Sequence, residues 1–260
     1  MKRLLALCVG LIMGASVQAE VLEQTLSLPD NLGTAVLYRA AASDELKPAV
    51  IVVHEWWGLN DYAKSRARML AEAGYTALAL NMYDEGEVSD HPENAKLFMQ
   101  KALANPKQMN ARVDTAMLVL RQQRGVNNNA IYAIGYCFGG AVVLQQARRG
   151  VNLAGVASFH GSLGTETPAQ KGVIKAKVLV ANGAADPFVP AEQVTGLVQE
   201  MAAAEVDLQL MNFANVTHGF SNPGATAKGQ KYNMPLAYDA AADKASWQAL
   251  LDMLGREQAN

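Results

Sequence analysis

Ile134-Gly135-Tyr136-Cys137-Phe138-Gly139-Gly140 is the stretch that decides how this chain folds. An apolar, β-forming run at residues 130–134 leads into it, and a helical run at 141–148 leads out. The cysteine therefore stands where a strand turns sharply into a helix. Such a turn holds its central residue in a strained backbone conformation, so the positions two residues away must be small. Gly135 and Gly139 meet that need. The pattern is glycine-x-nucleophile-x-glycine, which lifts a nucleophile clear of a sheet edge. It also sets the sulfur at the positive end of the following helix, where a thiolate and a developing oxyanion are both favoured. The G-x-G-x-x-G spacing is absent, which removes a dinucleotide-binding reading.

The flanking sequence supplies strands and helices in alternation. Residues 21–28 and 33–39 read as two strands joined by the turn Pro29-Asp30-Asn31. Residues 48–53 form a near-continuous apolar run, as expected of a central strand buried on both faces. A helix over 60–73, capped by Asn60 or Asp61 and ended by Gly74, precedes a strand at 75–80. A polar loop at 84–92 leads to helices at 93–103 and 109–124, parted by Asn105-Pro106. Beyond the elbow come strands at 153–159 and 177–181, a helix at 190–204, a strand at 206–213 and a closing helix at 234–256. This alternation predicts an α/β fold with a doubly wound, mostly parallel sheet flanked by helices. No repeat, low-complexity run or linker divides it, so residues 20–260 read as a single domain.

The first nineteen residues read differently. Lys2 and Arg3 precede a short apolar run at 4–15, and Val17-Gln18-Ala19 has the small-residue pattern of a cleavage site. Residues 1–19 are thus expected to be a signal peptide, and the mature protein an exported one, periplasmic or secreted. No stable membrane association is expected after cleavage. The chain has two cysteines and a net charge of −2. Cleavage would remove Cys8 and leave Cys137 as the lone thiol, which in an oxidising compartment has no intramolecular partner. The near-balanced charge and the lack of a basic stretch argue against a nucleic-acid partner. Nothing in the sequence specifies an oligomeric state.

A nucleophilic cysteine needs a base, and the base needs an orienting carboxylate. Folds with this elbow run nucleophile, acid, base along the chain. Of the four histidines, His54 and His91 precede the elbow, and His160 follows it too soon. His218 lies beyond the last predicted strand, in Asn215-Val216-Thr217-His218-Gly219-Phe220, and is the candidate base. The loop after the strand at 177–181 carries one carboxylate, Asp186, stiffened by Pro187 and Pro190. All three would sit at carboxyl ends of strands, where open α/β sheets place their sites. The oxyanion hole needs one N–H from the residue after the nucleophile and one from the loop after the buried strand at 48–53, namely Phe138 and Trp56. Glu55 in that loop is costly to bury without a partner.

These motifs resemble the dienelactone hydrolase family of the α/β-hydrolase superfamily over nearly the whole mature chain. The matching signatures are His54-Glu55-x-x-Gly58-x-Asn60, Gly135-Tyr136-Cys137-x-Gly139-Gly140, Asp186-x-Phe188-Val189-Pro190 and His218-x-Phe220. The resemblance implies an α/β-hydrolase fold, a Cys137-Asp186-His218 triad, no metal and no cofactor. It also implies that Glu55 contacts the resting thiol, until ligand binding lets Cys137 shift to His218 as a thiolate. Family members acting on dienelactone grip its carboxylate with arginines, one just after the His-x-Phe signature. Here Ser221 and Asn222 stand in that place. Trp56, Trp57, Tyr136, Phe138, Phe188 and Phe220 suggest instead an apolar pocket for a neutral ester or lactone. The expected function is a hydrolase cleaving a carboxylic ester or lactone through a thioester acyl-enzyme. The alternatives on the same fold are a non-catalytic binding protein and a redox-sensing thiol protein.

Overall fold

The computed structural model describes residues 20–40, 45–84 and 86–255. The signal-peptide reading of residues 1–19 lies outside the described residues. The strands are β1 (Val21–Ser27), β2 (Thr34–Ala40), β3 (Lys47–Val53), β4 (Thr76–Leu80), β5 (Val126–Tyr136), β6 (Gly155–Phe159), β7 (Lys177–Gly183) and β8 (Leu208–Phe213). The helices are α1 (Asp61–Glu72), α2 (Pro92–Leu103), α3 (Pro106–Arg121), α4 (Phe138–Arg148), α5 (Ala191–Ala203), α6 (Ala225–Tyr232) and α7 (Ala240–Gly255). One sheet carries all these strands in the order β1-β2-β4-β3-β5-β6-β7-β8. β1, β2 and β4 pair antiparallel, and from β4 to β8 every pairing is parallel.

The apolar runs explain the layers. Side chains alternate across a strand, so a strand apolar at every position must be covered on both faces. Ile51 and Val53 of β3 point to the core built with α3, α4 and α5, while Val50 and Val52 point to the core built with α1 and α7. β5 divides in the same way, with Ile131 and Ala133 on the first face and Tyr132, Ile134 and Tyr136 on the second. The carboxyl ends of β3, β5, β6, β7 and β8 then lie side by side and carry the loops of interest.

Two elements differ from the sequence expectation. The closing helix begins at Ala240 rather than at residue 234. Asn233 adopts left-handed angles (φ 50°, ψ 49°) as the C-cap of a helix the sequence reading missed, α6. Pro235 then disfavours helical angles at Met234, so the chain runs on extended. Leu236 there forms a parallel bridge with His218. α6 escapes a periodicity search because it is short and presents only Ala225 and Gly229 as buried residues.

Candidate active site

The elbow is built as its glycines require. Cys137 sits between β5 and α4 with φ 53° and ψ −113°, a strained conformation for any residue but glycine. A Cβ on Gly135 would lie 2.0 Å from the Gly139 carbonyl oxygen, and one on Gly139 would lie 2.4 Å from that of Val53. The two glycines thus let the turn close on itself and against β3. Backbone bonds fix it further: Cys137 N–H donates to Phe159 O at 3.0 Å, and Gly139 N–H donates to His54 O at 3.1 Å.

Asp186 and His218 meet on the far side of the sulfur. The turn after β7 buries Asp186, whose Oδ1 accepts from Phe188 N–H at 2.8 Å. Its Oδ2 lies 2.6 Å from Nδ1 of His218. That leaves Nε2 free on the side of Cys137, which borders the same spaces as the ring. The loop bearing His218 is tethered by Ala237 N–H, which donates to His218 O at 3.2 Å. Burial alone pulls this imidazole down. The electrostatic influence of neighbouring Cys137 and the bond to Asp186 outweigh it and lift the pKa from 6.5 to about 10. At neutral pH the ring is therefore protonated and faces a sulfur.

The loop after β3 supplies the opposite wall. Gly58 (φ +88°) turns it, since a Cβ there would come within 2.5 Å of Glu87 O. His54 braces the loop: its Nδ1 bonds to the Glu55 carbonyl, and Nε2 accepts from Met82 N–H at 3.1 Å. Burial, aided by the charge of Arg112, pushes His54 down to about 4, so it stays neutral. Among the described residues, no acceptor engages the backbone N–H of Trp56 or of Phe138.

The Glu55 side chain is buried, and its Oε2 accepts from Asn222 Nδ2 at 2.7 Å. Burial holds its pKa above the usual carboxylate value, against the Asn222 bond and the charges of His218, Lys228 and Arg66. Glu55 and Cys137 border the same small space, and among the described residues no hydrogen bond joins them. Asn222, in the place of an absent arginine, instead holds Glu55. An arginine does lie nearby in space: Arg66 donates to Ser221 O, but it is buried against Asp243 and lines no part of the cavities around Cys137. Lys228 of the missed helix α6 is the other unforeseen neighbour. Its Nζ lies 4.0 Å from the centre of the Trp57 ring.

His160 follows β6 with φ 42° and lies edge-on to His218, ring centres 5.1 Å apart. Its Nε2 shares a 2.8 Å hydrogen bond with Ser221 Oγ, which in turn bonds the Tyr62 hydroxyl at 2.7 Å. Burial and then the charges of His218 and Arg66 drive its pKa well below 6.5. The two buried histidines thus hold opposite charge states side by side.

Two spaces open onto Cys137. The larger, about 520 Å³, is apolar, with Trp56, Met99, Phe138, Phe188 and Leu236 in its wall and His218 at its floor. The smaller leaves about 10 Å³ and is walled by Glu55, Trp57, Asn222 and Lys228 as well as Cys137 and His218. Trp57 therefore borders the small space and not the large one. Tyr136 and Phe220, read from sequence as pocket residues, border neither. Tyr136 stacks on Phe159, and Phe220 packs against His160 and Phe213, both within the core beside α7. Among the described residues, no group of three or more histidine, cysteine, aspartate or glutamate side chains is placed to hold a metal ion.

An eight-stranded α/β sheet with a nucleophile elbow defines an α/β hydrolase. The dienelactone hydrolase family model matches residues 34–258. A crystal structure of a dienelactone hydrolase-like promiscuous phosphotriesterase from metagenomic libraries superposes with a TM-score of 0.81 at 32% identity, covering 91% of this chain and 98% of that one. A second solved structure, m3DLH, gives 0.83 at 31% identity, with the same coverage of both chains. A protein of Saccharolobus solfataricus, described as a candidate carboxymethylenebutenolidase, is 28% identical over 87% of this chain and 96% of its own length. The chain belongs to the dienelactone hydrolase family and is a hydrolase of the class that acts on carboxylic esters and lactones.

Proposed function

We propose that the chain cleaves neutral carboxylic esters or lactones through a covalent thioester on Cys137. The observation that carries this reading is the His218 imidazole held by Asp186 Oδ2 at 2.6 Å and bordering the same apolar cavity as Cys137 at the elbow. With a substrate carbonyl in the apolar cavity, the sulfur attacks the carbonyl carbon. The Trp56 and Phe138 N–H groups receive the oxyanion, each donor being worth roughly 3 to 4 kcal/mol of barrier. The His218 imidazolium gives its proton to the departing alkoxide while Asp186 keeps the ring oriented. Water then releases the acid. The cavity wall favours a neutral substrate, because it is apolar apart from the imidazole that serves the chemistry, and its lysine, Lys96, stands exposed at the rim.

Turnover of a chromogenic short-chain ester, with mass spectrometry of the quenched enzyme, tests this. The expected result is an acyl adduct on Cys137 and no turnover by Cys137→Ala. Binding without turnover would favour the non-catalytic alternative. A reversible sulfenic acid without hydrolysis would favour the redox one. We further propose that the protein is exported after loss of residues 1–19. An N-terminus at Glu20 in the mature protein supports this, and a retained Met1 in the exported form refutes it.

A further inference from the structure

The small space beside Cys137 has dimensions and walls that the acylation steps do not use. About 10 Å³ for the centre of a water-sized sphere is room for one water molecule. A water held in a protein needs two to four polar partners. The walls offer the Glu55 carboxylate, the Asn222 amide and the Lys228 ammonium. Among the described residues, Asn222 bonds only one Glu55 oxygen, Oε2, and leaves Oε1 without a hydrogen-bond partner. Cys137 and His218 border the same space, so a molecule seated there lies next to the atom that carries the acyl group.

We propose that this chamber seats the water that releases the acyl group, with Glu55 as its base. The inference rests on the thioester reading above and assigns its second half. The water oxygen bonds to the thioester carbonyl carbon, and its proton passes to Glu55 Oε1. The tetrahedral intermediate collapses, the C–S bond breaks, and sulfur leaves as thiolate. The free acid gives its proton to His218, neutral since the leaving alcohol was protonated, and departs as carboxylate. Glu55 then loses its proton to solvent, so one proton is released for each ester cleaved. The charges facing Glu55 suit the cycle: Lys228 and Arg66 favour its ionised form throughout, while burial makes that form a stronger base. Lys228, held over Trp57, is a positioning residue that fixes the water's second contact. The chamber is kept small by α6, which contributes Ala225 and Lys228.

The test is rapid-mixing kinetics of the full chain with p-nitrophenyl acetate. In Glu55→Gln, whose side chain still accepts from Asn222, a burst of nitrophenolate equal to the enzyme concentration is expected at an unchanged rate. The steady state behind it should fall by roughly 10² to 10⁴-fold, the range of general-base catalysis. Acetylated Cys137 should accumulate, and hydroxylamine, which attacks a thioester without a base, should restore turnover. Lys228→Met should show the same split with a smaller loss. A burst slowed in step with the steady state, with no adduct accumulating, would overturn the proposal by placing Glu55 in acylation. A steady state within threefold of wild type would overturn it as well. If Cys137→Ala still hydrolyses the ester, the nucleophile itself is wrong. If that variant is silent and Glu55→Gln deacylates normally, the chamber alone is wrong.

Discussion

The two spaces on either side of Cys137 are opposites. One is about fifty times larger than the other and is apolar, with a lysine at its rim and the His218 ring at its floor. The other is water-sized and, within a partly apolar wall, is faced by a buried carboxylate and a half-buried amine. They share a sulfur and an imidazole, and the loop at 54–58 contributes wall to both. The contrast teaches that one nucleophile can be approached by two reactants of opposite polarity without a moving part. In the proposed cycle the acyl and leaving groups take the side where desolvation is favourable, and water takes the side where it can be hydrogen-bonded.

Removing the shared atoms should abolish both halves. Cys137→Ala is expected to lower kcat/KM by at least roughly 10³ to 10⁴-fold, the cost of losing a triad member, as read by ester turnover. Asp186→Asn keeps the shape and removes the charge that orients His218. A loss of roughly 10²-fold or more is expected, as for a general acid–base group. Its alkaline limb should also move below that of wild type, which lies near the His218 value of about 10, because a support of the imidazolium is gone. A pH–rate profile with an unmoved limb would detach Asp186 from the base.

The wall between the spaces should fail in acid. His54 is depressed in the fold, so the unfolded chain binds its proton first as pH falls. Stability is therefore complete above pH 6.5 and declines as pH drops toward about 4. The loss amounts to roughly 3 kcal/mol over that window, at 1.36 kcal/mol for each pH unit. Urea unfolding at pH 7 and pH 4.5 measures it, and equal midpoints would remove His54 as the brace. The open side is probed by paired lactones. A carboxylate-bearing lactone should show a kcat/KM about tenfold below its neutral analogue, or about 1.4 kcal/mol, because the apolar wall offers the anion no arginine or lysine away from the rim. A preference for the anion would break the assignment of the large cavity. Smallest of all, Lys96→Ala should change turnover of neutral esters by less than about twofold, since an exposed charge is screened by solvent.

Much of this was legible in the sequence. The runs at 48–53 and 130–134 announce doubly covered strands, because no arrangement leaves them wet. Gly135 and Gly139 announce the elbow, because the turn cannot close over a Cβ. Cys137, Asp186 and His218 follow from chain order and strand ends. What escaped detection depends on space rather than spacing. Asn222 reads in sequence as a missing arginine and becomes the partner of Glu55 only when the His218 loop folds back. Lys228 rides on a helix too short and too polar to show a period. Tyr136 and Phe220 flank site residues in sequence, but their side chains turn into the core. Arg66 lies 155 positions from Ser221, to whose carbonyl it bonds, and no motif could have joined them.

Leu103, at the end of α2, borders the apolar cavity and also a broad groove of about 1030 Å³ between α3, α4 and the segment after β6. Together with Ala141, it is all that the two linings share. Leu103 is thus the larger of the two side chains common to both spaces, outside the elbow, the loop at 54–58 and every hydrogen bond of Asp186 and His218. Trimming that leucine is expected to widen the apolar cavity toward an amide-lined trough. The length of acyl chain the enzyme accepts could then be rewritten without touching its chemistry.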